Sequence, residues 1–280
     1  MRPVVYAGYG WQPPLFMDRN IQVGILLDYK PEPPNEFWRM PVRIFVQVEP
    51  PCVLPDVLPR LLAEQEKFTA ILGWHPALRS CSNASYYQLS AESRLPSDYQ
   101  PTSNKKFGAT FLTSSKAWCP GHILRQEVYN AIGSFQDFEI IKFKSNQQYK
   151  EQYVDKTDFI SHYQFGIEAE NSCIEGYFTE KLIDLCLAKV IPIYCGCPNI
   201  ADYGFDTSGI LTFSGTEDLD ELLYRLTSDT YVSMMEIIDH NFRQAQAWND
   251  RTLMDKEIDR ILGLKPRKHE ILHPYSLAPA

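Results

Sequence analysis

Residues 170–182 read Glu-Asn-Ser-Cys-Ile-Glu-Gly-Tyr-Phe-Thr-Glu-Lys-Leu, a run that crowds acids, amides, hydroxyls and a cation into one turn. The apolar run before it, residues 163–169, reads as a strand. After it, Leu182, Leu185 and Cys186 recur at helical spacing. Thr179 is a good N-cap for that helix, with Glu180 and Lys181 in its first turn. The strand 190–194 and a turn at Gly196 follow. A polar loop that leaves the C-terminal end of a strand and opens a helix is where open α/β sheets bind ligands. The unpaired N–H groups and the dipole at such a helix start suit a phosphate. Glu180 supplies an acceptor for hydroxyls and Lys181 a cation, so the turn suits a ribose-diphosphate group. The plainer alternative is a structural strand–turn–helix with incidental charges. The density of polar groups at fixed spacing favours the binding site.

Two other patterns have chemistry attached. His269-Glu270-Ile271-Leu272-His273 satisfies the zinc-protease pattern HExxH, in which two histidines share a helix face. It lies between Pro266 and Pro274, room for little more than one helical turn, and no convincing third ligand follows. A zinc protease is therefore a remote alternative, and no metal site is expected. The chain has seven cysteines, an odd number without regular spacing, which fits reduced thiols rather than a disulfide framework. Cys195 and Cys197 flank Gly196, and small buried fillers are a better reading for them than metal ligands. Asn83-Ala84-Ser85 is a formal glycosylation sequon, without meaning in a cytoplasmic chain.

The segment 170–205, ENSCIEGYFTEKLIDLCLAKVIPIYCGCPNIADYGF, resembles the donor-binding segment of the α1,3/4-fucosyltransferases of glycosyltransferase family 10. That family's pattern runs aromatic-Glu-Asn-Ser/Thr, a short loop, Tyr-x-Thr-Glu-Lys, then Pro-x-Tyr/Val-x-Gly. The resemblance implies that Asn171 and Tyr177 contact the donor's phosphates or sugar. It implies that Glu180 accepts hydrogen bonds from the ribose and that Lys181 stabilises the diphosphate. Residues 105–111, KKFGATF, with Ser114 and Ser115 after them, look like the family's strand entering a Ser-Asn-Pro turn, which places Ser114 beside the donor. Arg125 aligns with an arginine that opens a helix and grips the diphosphate, a task a guanidinium performs bidentately. Here the Asn-Pro is missing, and the longer loop before Arg125 holds Trp118, Cys119 and His122. The alternative for Arg125 is an exposed helix residue. Residues 43–51, RIFVQVEPP, resemble the apolar strand that ends in the family's catalytic base, which implies that role for Glu49. A strand end stiffened by two prolines suits a positioned base, and burial would raise its pKa. Asp28 and Glu92 are the competing carboxylates.

What the resemblance implies is inverting transfer by single displacement, with Glu49 taking a proton from the acceptor hydroxyl. GDP-fucose is the first donor expected. A weaker resemblance to glycosyltransferases of large DNA viruses of algae makes UDP-xylose, or another nucleotide-sugar, the next. The acceptor expected is a hydroxyl of an oligosaccharide or glycoprotein glycan. No further cofactor is expected, because no Asp-x-Asp motif lies in a suitable loop. A catalytically inactive glycan-binding or scaffold protein of the same fold is the principal alternative.

Positioning these residues takes an alternating chain. Strands are expected at 4–6, 22–27, 43–48, 68–72, 107–112, 138–143, 163–169, 190–194 and 210–213. Helices are expected at 55–66, 120–135, 147–154, from 180, from a cap at Thr216, and over most of 229–248. Strand–helix alternation means parallel sheets covered by helices. Two such halves give an α/β fold of GT-B type, two Rossmann-like domains facing a cleft, the N-terminal one small. The expected domains are 1–105 on the acceptor side and 106–260 for the nucleotide-sugar, with a tail, 261–280, packing back on the first.

Composition agrees with an enzyme of this size. The 280 residues are 44% hydrophobic and 13% aromatic, enough to bury a real core. The net charge of −8 argues against a nucleic-acid partner, which would need a basic face. Lys265, Arg267 and Lys268 read as a solvated group. No stretch is apolar enough to span a bilayer, and the first residues lack the apolar region of a signal peptide. The expectation is no membrane anchor and a cytoplasmic location, the host cytoplasm if a virus encodes the chain. A bacterial- or virus-like enzyme, or a shortened form of a longer one, fits this.

Overall fold

The computed structural model describes residues 5–7, 23–28, 33, 35–145, 156–250 and 252–263. Two compact units divide the chain between Ser90 and Ala91, and the segment from Arg251 belongs to the first unit. The boundary expected at 105 falls inside the second.

In the first unit, β1 (Val5–Ala7), β2 (Val23–Leu27), β3 (Val42–Val46), β4 (Ala70–Gly73) and β5 (Ala84–Tyr86) form a parallel sheet in simple chain order. Right-handed crossovers between successive parallel neighbours would put their covering helices on one face. That face is covered by α1 (Asn35–Trp38) and α2 (Val57–Ala63), where Phe37, Val57, Leu58 and Leu61 pack on Leu26, Phe45 and Ile71. The alternate residues of the same strands, Val23, Ile25, Leu27, Ile44, Val46 and Leu72, point the other way and need a second cover. It comes from the far end of the sequence. Helix α9 (Leu253–Ile261) lays Met254 and Ile258 on these side chains.

In the second unit, β6 (Lys106–Ser114), β7 (Glu139–Ser145), β8 (Tyr163–Ala169), β9 (Ile191–Cys195) and β10 (Leu211–Thr212) are also parallel, in the order β10-β9-β8-β6-β7. The order reverses between β6 and β8. Connections on the two sides of that point run to opposite faces, so both faces are covered. The helices are α3 (Pro120–Ala131), α4 (Lys156–Ser161), α5 (Glu180–Leu187), α6 (Thr216–Arg225), α7 (Ser228–Ser233) and α8 (Met235–Trp248). Val128 of α3 and Leu219 and Leu223 of α6 share one core with Phe111, Phe165, Ile167 and Ile193. Gly166 lets α5 approach β8, since a Cβ there would lie 2.4 Å from a Leu185 methyl.

Most expected elements are present within a few residues. The cap of α6 is Gly215 rather than Thr216. Asp218, three residues on, folds back to accept from Ser214 N and Gly215 N at 2.7 and 2.8 Å, the N3 half of a capping box, which needs no side chain at the cap itself. The short strand β5 has no counterpart among the expected elements. Asn83, of the sequon before it, donates its side-chain amide to Gln65 O and Phe68 O. The helix expected at 147–154, the HExxH run and the basic group near 267 lie outside the described residues.

Ile258→Ala tests the cover on the first unit. Its side chain is wholly buried. Its removal should cost about 2–5 kcal/mol of stability, read as a lower urea midpoint. An unchanged midpoint would show that α9 does not close that face.

Candidate active site

The two strands that flank the reversal, β6 and β8, end at Ser114 and Ala169. Their following loops lead into α3 and α5, so two helix starts meet at the carboxyl edge of the sheet. The approach is close. Gly121, in the first turn of α3, donates its N–H to Asn171 O at 3.2 Å. A Cβ on Gly121 would sit 1.7 Å from Glu170 O, so the position excludes every side chain.

Glu170 organises the turn. Its carboxylate has no exposed surface. Oε1 accepts from Thr179 N at 2.8 Å and from the Tyr194 hydroxyl at 3.2 Å. Oε2 accepts from Thr179 Oγ1 at 2.8 Å and lies 3.6 Å from Lys181 Nζ. Thr179 in turn caps α5, its Oγ1 accepting from Lys181 N at 3.3 Å and Lys181 Nζ at 3.2 Å. A buried carboxylate survives only with such company. The sequence marks Glu170 as the start of the motif, not as a site residue. The available signal is a carboxylate directly after an apolar strand and nine residues before a Thr cap.

The residues expected at a donor are brought together here, though not all present themselves as expected. Glu180 Oε1 pairs with Arg94 at 3.2 Å and Lys181 Nζ at 3.6 Å. Burial alone would raise the Glu180 carboxyl, but Lys181, Arg94 and Lys156 outweigh it and hold it down at about 2. Burial likewise opposes the charge on Lys181, and Glu180, Glu170 and Glu168 prevail, raising its pKa. Arg125 is not an exposed helix residue. It is 4% exposed, and its guanidinium donates to Ala169 O and, at 2.9 Å, to Asn171 Oδ1. It therefore ties α3 to the end of β8 and sets the pose of Asn171. Tyr177 is buried, and its backbone N–H donates to Ile174 O at 3.1 Å. Ser114 is half-buried, and its carbonyl accepts from Gln126 Nε2 at 2.5 Å.

Sequence reasoning misses two contributors. Arg94 reaches Glu180 from a loop pinned to α5. There Asp184 accepts from Ser93 Oγ at 2.5 Å and Arg94 N at 3.2 Å, and pairs with Lys156 at 2.7 Å. These partners lie too far apart in the chain for any local pattern to link them. The other is His122, whose Nδ1 lies 2.9 Å from Cys119 Sγ. Burial first, then Arg125, Lys116 and Lys181, hold its imidazole down at about 4, neutral in ordinary buffers. Burial is the larger cause of its neutrality; the three cations add to it, and with the helix starts they favour an anion here.

In the first unit, Glu49 follows β3 in a loop held at each step. Gln47 N donates to Leu72 O at 2.8 Å, and Trp74 Nε1 donates to Val48 O at 3.0 Å. Asp28 grips the next two residues, Oδ1 accepting from Val48 N and Oδ2 from Glu49 N, both at 3.1 Å. It does so from a left-handed backbone, φ 45°, at the end of β2. Asp28 thus clamps the Glu49 loop. Glu92 lies in the second unit. Burial pushes the Asp28 carboxyl up to about 7, against the pull of the two N–H groups.

The family model for glycosyltransferase family 10 (fucosyltransferase), C-terminal part, matches residues 103–244. A putative fucosyltransferase-like protein of Arabidopsis thaliana is 24% identical over 136 residues, 49% of this chain and 26% of that protein. The α-(1,3)-fucosyltransferase FucT of Helicobacter pylori is 35% identical over 68 residues, 24% of this chain and 14% of that protein. The matches thus span about a quarter and a seventh of these relatives. Among solved structures, an α1,3-fucosyltransferase with GDP-fucose has a TM-score of 0.51 at 18% identity, covering 89% of this chain and 80% of that one. TarM scores 0.55 at 9% identity, covering 86% and 54%. HepE of Anabaena, in complex with UDP-glucose, scores 0.53 at 8% identity, covering 79% and 72%. At these identities the likeness is one of fold, the GT-B type.

The Asp28 clamp has a pH signature. Folded, Asp28 keeps its proton up to about pH 7; unfolded, it loses it near the usual 3.8. The folded chain binds the extra proton between these values, so this contribution to stability falls as pH rises through the window and is constant above it. Glu168, pushed to about 7 by burial, adds a slope of the same sign. Asp28→Asn should flatten the profile between pH 4 and 7 and lose one backbone hydrogen bond, about 1 kcal/mol. Urea midpoints at several pH values check this, and an unchanged slope would show that Asp28 is ionised throughout.

Proposed function

Because the chain belongs to glycosyltransferase family 10, we propose that it transfers a sugar from a nucleoside-diphosphate donor to a hydroxyl of an oligosaccharide or glycoprotein glycan. The observation that carries this reading is the anchored turn at the strand reversal. There Lys181, Arg125 and two helix starts converge under one buried carboxylate. GDP-fucose is the first donor to consider, since the matched relatives are named fucosyltransferases and one structure of similar fold was solved with GDP-fucose. A UDP-linked sugar comes second, supported by the fold shared with a protein solved with UDP-glucose.

In this reading the diphosphate lies at the starts of α3 and α5. Lys181 contacts it directly. Arg125 adds positive charge from behind and holds Asn171 toward it. Glu180 is ionised and ready to accept from ribose hydroxyls once Arg94 yields. Glu49, fixed by the Asp28 clamp, removes the acceptor proton as the acceptor oxygen attacks the anomeric carbon. The nucleoside diphosphate departs from the opposite face, so the configuration inverts. The charge growing on the leaving phosphates meets cations and N–H groups already in place. These supply what a divalent cation would otherwise provide, and transfer should proceed without one.

Calorimetry with GDP-fucose, GDP, UDP-xylose and UDP-glucose, beside a transfer assay with and without EDTA, tests the proposal. Lys181→Ala should weaken both donor binding and transfer by on the order of 10- to 100-fold, the loss of one charge-assisted contact. Glu49→Gln should leave donor affinity within about two-fold while transfer falls about 100-fold or more. Near-normal transfer by Glu49→Gln would remove Glu49 as the base. Donor binding without transfer by the intact chain would favour an inactive glycan-binding protein, and no binding of any nucleotide-sugar would end the proposal.

A further inference from the structure

Cys173 lies exposed on the turn that follows β8, and its Sγ is 3.3 Å from Sγ of Cys195 at the end of β9. The fold holds this pair together. Ala169 and Cys195 are register partners of β8 and β9, and Glu170 N donates to Cys195 O at 2.8 Å. The turn is therefore fixed to the backbone of Cys195 itself, three residues before Cys173. A disulfide needs its sulfurs about 2.05 Å apart, so side-chain rotation and a shift of roughly 1.2 Å close the gap.

The two thiols differ in the way an exchange reaction requires. The neighbouring Cys195 sulfur draws the Cys173 thiol down to about 7, against burial and the Glu170 charge. Cys195 is buried, and its contact with Cys173 and then its burial push its own thiol up. The exposed sulfur is thus the attacking thiolate and the buried one the resolving thiol.

We propose that Cys173 and Cys195 form a reversible disulfide that is a modification site on this turn, with a low-molecular-weight disulfide such as glutathione disulfide as oxidant. The Cys173 thiolate attacks one glutathione sulfur, breaks the S–S bond and releases one glutathione thiolate, which takes up a proton. Cys195 gives up its proton, attacks the Cys173 sulfur of the mixed disulfide and expels the second glutathione. Two protein thiols lose two electrons and two protons, and one glutathione disulfide becomes two thiols. The crosslink ties the loop between Asn171 and Gly176 to the end of β9. Gly176 N already donates to Asn199 Oδ1 at 2.9 Å, and Cys197 Sγ lies 3.1 Å from the same oxygen, so the loop would be held at both ends. Weaker donor binding in the oxidised form rests on the reading of this turn as the nucleotide-sugar site; the disulfide itself does not.

The full chain is incubated with glutathione disulfide, alkylated without reduction, and mapped by peptide mass. The expected result is one Cys173–Cys195 crosslink that dithiothreitol reverses. Cys173→Ser should form neither crosslink nor adduct on this turn, and Cys195→Ala should keep a lasting glutathione adduct on Cys173. Alkylation of both thiols in the treated wild type, or a glutathione adduct without crosslink, would overturn the site. Calorimetry with GDP-fucose on reduced and crosslinked protein reads the consequence, a several-fold weaker affinity when crosslinked. Equal affinity would overturn the link to donor binding. Failure of the reduced protein to bind any nucleotide-sugar would sink the functional reading, while the mapped crosslink would still decide the disulfide.

Discussion

A carboxylate with no exposed surface, Glu170, is the group on which the candidate site depends. Removing it from water is costly, and the cost is offset only by the full set of donors around it. Those donors belong to the candidate site itself. Thr179 caps α5, Lys181 supplies the cation, and Tyr194 holds the end of β9. The same residue's carbonyl forbids a side chain at Gly121 and so sets how near α3 can come. One residue thereby meets two helix starts, its carbonyl at α3 and its carboxylate at the cap and lysine of α5. Rigidity of this kind is what a site needs if it is to meet developing negative charge without first rearranging.

The two sheets solve the covering problem differently, and the difference decides where ligands can enter. The second sheet reverses its order between β6 and β8, the kind of point at which open α/β sheets take ligands, and Arg125 joins Ala169 and Asn171 at its carboxyl edge. The first sheet runs β1 to β5 without reversal. Among the described residues, α9 is the helix that covers its second face. What the sheet provides instead is a strand end. Glu49 follows β3, in a loop clamped through Asp28, Gln47 and Trp74.

What can be read from the sequence follows from the range of the interactions. The strand 163–169, the Thr179 cap and the helix behind it are written in adjacent residues, and they stand as expected. The sheet orders, the Arg94–Glu180 pair and the Asp28 clamp join residues some 20 to 90 positions apart, and no local spacing encodes them. Arg125 shows the limit from the other side. Its type and place point to a phosphate ligand, whereas its burial makes it first a strut between α3 and β8. A guanidinium carries five donors, so motif and strut are compatible, but only the folded chain shows which task comes first. Asp28 follows an apolar strand, which in sequence makes it a rival for the base. In the fold, from a left-handed backbone, it also accepts from two N–H groups of the next strand's loop, a contact no local pattern announces.

The carboxylates also show that charge here is set by direct contact rather than by the number of cations nearby. Glu180 has Arg94 at 3.2 Å and Lys181 at 3.6 Å and is held down at about 2. Asp28 has only neutral N–H groups in its grip, and burial takes it up to about 7. Glu168 feels Lys156, Lys181 and Arg125, yet burial still carries it to about 7. At neutral pH the turn therefore presents a fixed pattern, a lysine between two acids, with a half-titrated carboxyl behind it. In the proposed reading an incoming diphosphate competes with Glu170 and Glu180 for Lys181, whose charge also acts on Glu168. Such a ligand should draw a proton onto Glu168 as it binds, which couples donor affinity to pH through a residue it need not touch.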